Sequence, residues 1–159
     1  MVDIYRLNAF CTEAVYNCEN LGSHVLVSSE AELKDLIADV KYYPLLVCVL
    51  PESKGDDEGY DNYVERNSGL FYIIKPMLET FNKQDRLDLW MKTQFAMREF
   101  KYYIRKQMLG GDEPENPNKN NFMDLFKDAD LAGRDQQPEY NLMGCAGWSL
   151  NFMYSTDGM

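Results

Sequence analysis

The segment GWSLN at Gly147–Asn151 resembles the G-x-S-x-G motif of serine hydrolases, with asparagine in place of the second glycine. In that motif a strand turns sharply into a helix and exposes the serine to a histidine base. The only histidine of the chain is His24, in an early strand-like segment, and the residues after Ser149 alternate between apolar and polar types. The pattern therefore favours a strand over a nucleophile.

A second stretch, Asp128–Glu139 (DADLAGRDQQPE), partly matches a calcium-binding loop. Asp128, Asp130 and Glu139 occupy positions one, three and twelve of such a loop. Position five, however, is Ala132, which has no side-chain oxygen to offer a cation. A solvated acidic loop is the favoured interpretation.

The rest of the chain has no pattern typical of catalysis or of cofactor binding. Neither G-x-x-x-x-G-K-[ST] nor G-x-G-x-x-G occurs, and one histidine among scattered carboxylates gives no metal-ligand spacing. The four cysteines form no C-x-x-C pair, so we expect reduced thiols in the core of a cytosolic protein. We expect a non-enzyme, without catalytic residues, cofactor or metal.

Length and charge restrict the class of protein further. A chain of 159 residues fits a single domain, 1–159, with a real hydrophobic core. The net charge of −10 argues against binding to phosphate backbones and to anionic membrane surfaces. The longest apolar run, Pro44–Leu50, is too short to span a bilayer. We therefore expect no membrane contact.

Apolar periodicity predicts an α+β fold. The expected fold is a single mixed or antiparallel sheet of about four strands, with helices packed mainly on one face. Two stretches rich in turn residues, 51–68 and 110–140, are predicted to be extended loops. The predicted elements are helices at Asp3–Glu19, from Ser29 to Val40 and at Gln84–Leu109, and strands at Ser23–Val27, Leu45–Leu50, Gly69–Leu78 and from Trp148 onward.

The helix predicted at Gln84–Leu109 has apolar residues nearly all round and six basic against three acidic residues. A basic helix with two apolar sides in an acidic chain predicts self-association. A central helix with solvated lysines is the alternative interpretation. The candidates for inter-subunit contacts, on this helix and in the loop after it, are Trp90, Arg98, Phe100, Tyr103, Arg105, Phe122 and Phe126.

The last predicted strand has a regular alternation. Trp148, Leu150 and Phe152 point to one side, and we expect them to form the structural core against the long helix. Ser149 and Asn151 point to the other side.

In its order of elements and in two segments, the chain resembles the neck and tail-completion proteins of tailed bacteriophages. This is the tail terminator and head–tail joining group, as found in phages and prophages of gut Bacteroidetes. The two segments are YNLMGCAGWSLNF at Tyr140–Phe152 and PLLVCVLPES at Pro44–Ser53. The stretch 110–140 is an insertion relative to the compact pattern of that family.

This resemblance implies a non-catalytic structural virion protein, assembled in the host cytoplasm. Such proteins form homo-oligomeric rings between the portal or connector and the tail tube, and DNA passes through without specific binding. An acidic loop would then line the channel, because repulsion prevents phosphate contacts. The candidates for facing the DNA are Asp56, Asp57, Glu58 and Asp61. The alternative function is a small cytosolic protein-binding or regulatory module.

Overall fold

The computed structural model describes residues 2–56, 64–108, 122, 125, 126, 128–130 and 135–157. Within them, three helices and five strands follow one another along the chain. They are α1 (Ile4–Asn17), β1 (Ser23–Val27), α2 (Glu30–Ile37), β2 (Leu45–Asp56), β3 (Val64–Pro76), α3 (Lys83–Met108), β4 (Asp135–Leu142) and β5 (Cys145–Asp157).

The strands form one open sheet in the order β1-β2-β3-β5-β4. β1 and β2 are parallel and joined through α2, whereas the other neighbouring pairs are antiparallel. The predicted α+β class is confirmed, with five strands where about four were expected. The additional strand is β4, at one edge of the sheet, where Pro138 is tolerated because an edge strand leaves some N–H positions unpaired.

The two faces of the sheet are covered unequally. On the front face, α1 and α3 pack over side chains that include Leu46, Ile73 and Leu150, forming the larger core cluster. On the back face, α2 places Leu33 against Val47 and its neighbours in a smaller cluster that reaches from β1 to β3. The back face of β5 and β4 has no described helix over it.

Both helices that follow a strand begin at a side-chain cap. Asn82 and Asp85 form a reciprocal pair at the start of α3, each side chain accepting a hydrogen bond from the backbone N–H of the other. At α2, the Ser29 hydroxyl accepts a hydrogen bond from the N–H of Glu32. The Glu32 carboxylate, however, accepts from the N–H and hydroxyl of Ser28, one residue earlier than a capping box requires.

The prediction of a loop at 51–68 is wrong for its two ends. β2 continues to Asp56 and β3 begins at Val64, with Glu52 paired to Ser68 after a register shift. β5 pairs with β3 over the same stretch, up to Asp157. The ladder therefore extends as a three-stranded ribbon, in which backbone pairing does not depend on apolar side chains.

The prediction of a loop at 110–140 is wrong for residues 135–140, whereas the described residues between 122 and 130 lie in turns and irregular backbone. Asp135–Leu142 is strand β4, so the second half of the calcium-like stretch is extended backbone. Phe122, Leu125 and Phe126 are at most 3% exposed, because they pack into the front core. The Asp130 N–H donates to the Met153 carbonyl at 2.9 Å, which attaches this segment to the free edge of β5.

A tight turn joins β4 to β5. Leu142 pairs with Cys145, so the loop between them is Met143 and Gly144, and both have positive φ, at 53° and 75°. Two-residue hairpin loops with this backbone are type I′ turns, which match the twist of the flanking strands. The stretch before the motif-like GWSLN segment is thus the turn that returns the chain into the sheet.

Candidate assembly surface on helix α3

Helix α3 has one buried side. Its buried residues fall within an arc of about 120° at 100° per residue, and they include the small Thr93 and Ala96. These small residues let the helix approach the sheet closely. The buried set is Leu89, Thr93, Ala96, Met97, Phe100, Tyr103 and Ile104.

Four of the predicted inter-subunit residues belong to the core of the subunit. Phe100 is 0% exposed and stacks edge-on against Phe71 at 5.0 Å between ring centroids. Phe122 and Phe126 both pack edge-on against Phe10. Tyr103 is 6% exposed and lies 5.4 Å from Phe10. Their side chains are used inside the fold, which corrects the expectation that they face a neighbouring subunit.

The opposite side of α3 carries an apolar stripe in contact with solvent. We define the α3 stripe as Leu87, Met91, Phe95 and Tyr102, which lie within an arc of about 80° on the helix. Their exposed fractions are 47%, 50%, 44% and 60%. The arc is opposite to the buried one, so the predicted second apolar side of this helix exists and is exposed. Exposed apolar residues that share one side of a helix are typical of a protein–protein contact.

Positive charges border the α3 stripe. The Arg98 guanidinium lies 5.8 Å from the Phe95 ring centroid and the Lys106 ammonium 4.9 Å from that of Tyr102, both in cation–π range. Arg98 and Arg105, two of the predicted contact residues, are exposed. Helix α3 holds seven basic and three acidic residues.

Two of the three acidic residues of α3 are engaged with backbone groups. Asp85 caps the helix, and the Glu99 carboxylate accepts hydrogen bonds from the Glu19 N–H and the Asn20 amide in the connection between α1 and β1. These bonds fix α1 against α3. They also hold two of the three negative charges of α3 in other contacts. The third acid, Asp88, is exposed beside the stripe and accepts a hydrogen bond from the Gln84 amide, so basic residues outnumber acidic ones around the stripe.

A cleft continues the stripe at the start of α3. It has a volume of about 310 Å³ and is lined by Phe81, Lys83, Arg86, Leu87 and Trp90. Trp90, another predicted contact residue, packs edge-on against Trp148 at 5.8 Å, so part of its ring is used inside the subunit and part lines the cleft. The cleft thus combines the positive charges of Lys83 and Arg86 with the aromatic rings of Phe81 and Trp90. Such a lining can bind an apolar side chain of a partner that has a carboxylate close by.

The predicted core residues of β5 do pack against α3 and its surroundings. Leu150 and Phe152 are 0% and 2% exposed. Trp148 is half-buried, and its indole N–H donates to the Trp90 carbonyl at 3.4 Å. Sequence reasoning missed Phe10, which lies in α1 and contacts four aromatic rings of the core.

The Tyr103 hydroxyl is buried and forms no hydrogen bond with any residue that the structure describes. Burial, followed by the charges of Glu13, Cys18 and Cys11, raises the pKa of Tyr103. A buried hydroxyl without a partner costs free energy. We expect Tyr103→Phe to leave the protein as stable as the wild type or more stable by up to about 1 kcal/mol. Urea unfolding measures this, and a loss above about 1 kcal/mol would show that the hydroxyl is bonded.

The serine of the hydrolase-like segment is a strand residue. Ser149 lies on the back face of β5, and its hydroxyl donates to Glu139 at 3.0 Å. His24 is in register with Trp148, the neighbour of Ser149, across strands β2 and β3. Three strand spacings separate His24 from Trp148, which is about 14 Å, and His24 lies on the front face. The His24 ring hydrogen-bonds Asn8 at 3.0 Å, and burial lowers its pKa. The structure does not bring this serine and this histidine together.

The four cysteines are free thiols in the core, as predicted. A hydrogen bond with Cys48, together with burial, raises the pKa of Cys11. Burial raises the pKa of Cys18 to about 12 and that of Cys145 to about 11. A thiol is a nucleophile and a metal ligand only when deprotonated, so Cys11, Cys18 and Cys145 are structural.

Metal-binding groups and membrane-spanning helices are both missing from the part of the chain that the structure describes. No group of three histidines, cysteines or carboxylates in it is placed to hold a metal ion. None of its helices is long and apolar enough to cross a membrane.

The candidates for facing DNA lie at or beyond the limit of the described ribbon. Asp56 is the last residue of β2, paired to Val64. Asp57, Glu58 and Asp61 lie outside the described residues. Their role stays a prediction.

No protein-family model matches the chain, and no curated protein matches it.

Proposed function

We propose that this chain is a non-catalytic structural subunit of the neck of a tailed bacteriophage. It assembles through the outer side of α3 into a homo-oligomeric ring between the portal or connector and the tail tube, and DNA passes through the ring. The virion is then its site of action. The resemblance of Tyr140–Phe152 and Pro44–Ser53 to neck and tail-completion proteins supplies the biological setting.

The observation that carries the proposal is the α3 stripe. An exposed row of Leu87, Met91, Phe95 and Tyr102 runs along a helix whose opposite side is fully used by the core. Exposing such a row costs hydration free energy of about 25 cal/mol per Å² until a partner covers it. A protein that works as a monomer gains no stability from an exposed apolar row. A subunit of an assembly gains binding free energy when a neighbouring subunit covers that row.

The charge distribution supports the partner being another copy. The chain has a net charge of −10, although α3 has seven basic against three acidic residues. The remainder is therefore strongly acidic, and a positive helix on one subunit is attracted to a negative surface on the next. The same acidic excess repels phosphate groups, so DNA in a channel lined by it would not be held.

Mass spectrometry of purified virions tests the biological setting. We expect peptides of this chain in phage particles from the source, at a copy number of a ring and well below that of the major capsid protein. The tail and portal proteins of the same particles serve as internal standards. Absence of the chain from particles that contain those standards would contradict a structural role in the virion.

A further inference from the structure

The back face of the sheet carries a surface whose charge is opposite to that of α3. We define the back-face patch as Leu70, Asp135, Glu139, Asn151 and Met153. The strand register places Leu70, Asn151 and Asp135 in one row across β3, β5 and β4. Met153, in the next row of β5, is 48% exposed, and Asp135 is exposed at the sheet edge.

Negative charge dominates this patch. Asp135 and Glu139 both lie on β4. The pKa of the neighbouring Tyr72 is raised by burial first and then by the negative charges of Glu139 and Glu30. Glu30 is the first residue of α2, so acidic groups border the patch from two elements. Among the described side chains on the back face of β3, β5 and β4, the one cation is Arg66, level with Ser155 near the end of the ribbon.

We propose that the α3 stripe of one subunit docks on the back-face patch of a second copy of this chain. This inference rests on the proposed function and specifies its contact. Arg98, Arg105 and Lys106 around the stripe then meet Asp135 and Glu139, while Met91 and Phe95 cover Leu70 and Met153. The central apolar residues exclude water, and the charges at the rim set the orientation.

The position of the two surfaces defines the symmetry. The α3 stripe faces outward on the front side of the sheet, and the back-face patch lies on the opposite side. Two different surfaces make a heterologous contact, which repeats head to tail and closes into a ring when the rotation between subunits allows it. A contact of α3 with α3 would instead stop at a dimer.

A mixing experiment distinguishes these arrangements. The stripe variant, Met91→Ala with Phe95→Ala, keeps helix-forming residues and removes only exposed side chains. The patch variant, Asp135→Lys with Met153→Lys, reverses the charge of the second surface at exposed positions. The control variant, Tyr5→Ser with Tyr16→Ser, changes side chains that are 90% and 88% exposed on α1. Circular dichroism verifies the fold of each variant. If the double patch variant does not fold, the single substitution Asp135→Lys is used in its place.

Each variant has a defined expected result in sedimentation velocity. The stripe and patch variants are each monomeric at concentrations where the wild type and the control variant associate. An equimolar mixture of the stripe and patch variants forms one-to-one dimers that do not grow, because only one functional contact remains in each pair. With Asp135→Lys alone, the dissociation constant rises at least about tenfold.

Two results overturn the inference in distinguishable ways. If the patch variant associates as the wild type does while the stripe variant does not, the counter-surface is wrong and the assembly role of α3 remains. If the wild type itself stays monomeric throughout, the proposed function fails together with the inference.

Discussion

Replacement of Gly147 by alanine is expected to remove most of the stability of the fold. A Cβ atom at this position would lie 1.9 Å from the Ile73 carbonyl oxygen and 2.9 Å from its carbon, both backbone atoms of the paired strand β3. No rotamer change relieves a clash with backbone, so β3 and β5 have to separate where Gly147 pairs with Ile74. We expect a loss of at least about 4 kcal/mol in the free energy of unfolding, measured by urea titration.

Gly144→Ala is the matched control for this prediction. Gly144 lies in the same hairpin with φ +75°, and an added Cβ there meets no atom within 4 Å. Its cost is limited to the backbone conformation, about 1–2 kcal/mol. If both alanine variants unfold at the same urea concentration, the close approach of β3 to Gly147 is contradicted.

The second large effect is expected for Phe126→Ala. Phe126 is 1% exposed, and its ring lies 4.8 Å from that of Phe10 and 5.0 Å from that of Tyr154, centroid to centroid. Truncation of such a side chain leaves a cavity among aromatic rings and costs about 3–5 kcal/mol. Urea unfolding at a low protein concentration measures it without a contribution from association.

Phe95→Ala controls for the loss of a phenylalanine as such. Phe95 is 44% exposed on the α3 stripe, so its truncation leaves no internal cavity, and we expect a change below about 1 kcal/mol in the monomer. A loss for Phe126→Ala no greater than that for Phe95→Ala would show that the segment around Phe126 does not complete the core.

The sequence predicts those elements whose apolar residues repeat with a clear period. Strand β1 is observed at Ser23–Val27 as predicted, and α3 is observed within one residue of its predicted ends. Strand β4 has the sequence DQQPEYNL, with no apolar alternation and an internal proline. Its place in the sheet depends on backbone pairing with β5 and on the turn at Met143 and Gly144, which apolar periodicity does not reveal.

For the candidate assembly surface, too, the sequence predicts one part and leaves another part open. Periodicity identified two apolar sides of α3 but did not determine which of them is buried. The side with Phe100 and Tyr103 is inside because Thr93 and Ala96 leave room for the sheet there, and the stripe with Met91 and Phe95 is outside. On α1, Ile4 is 54% exposed, while Phe10 takes the central buried position. Which apolar side of a helix is buried depends on how the sizes of its side chains fit the element packed against it. The periodicity of one helix does not contain that information.

The central claim is that the outer side of α3 is an assembly surface. Sedimentation velocity over a concentration series of the wild type and of the Met91→Ala, Phe95→Ala variant tests it most directly. We predict that the wild type moves from monomer to a closed oligomer as concentration rises, and that the variant remains a folded monomer over the same range. A variant that associates like the wild type, or a wild type that stays monomeric throughout, would contradict the claim.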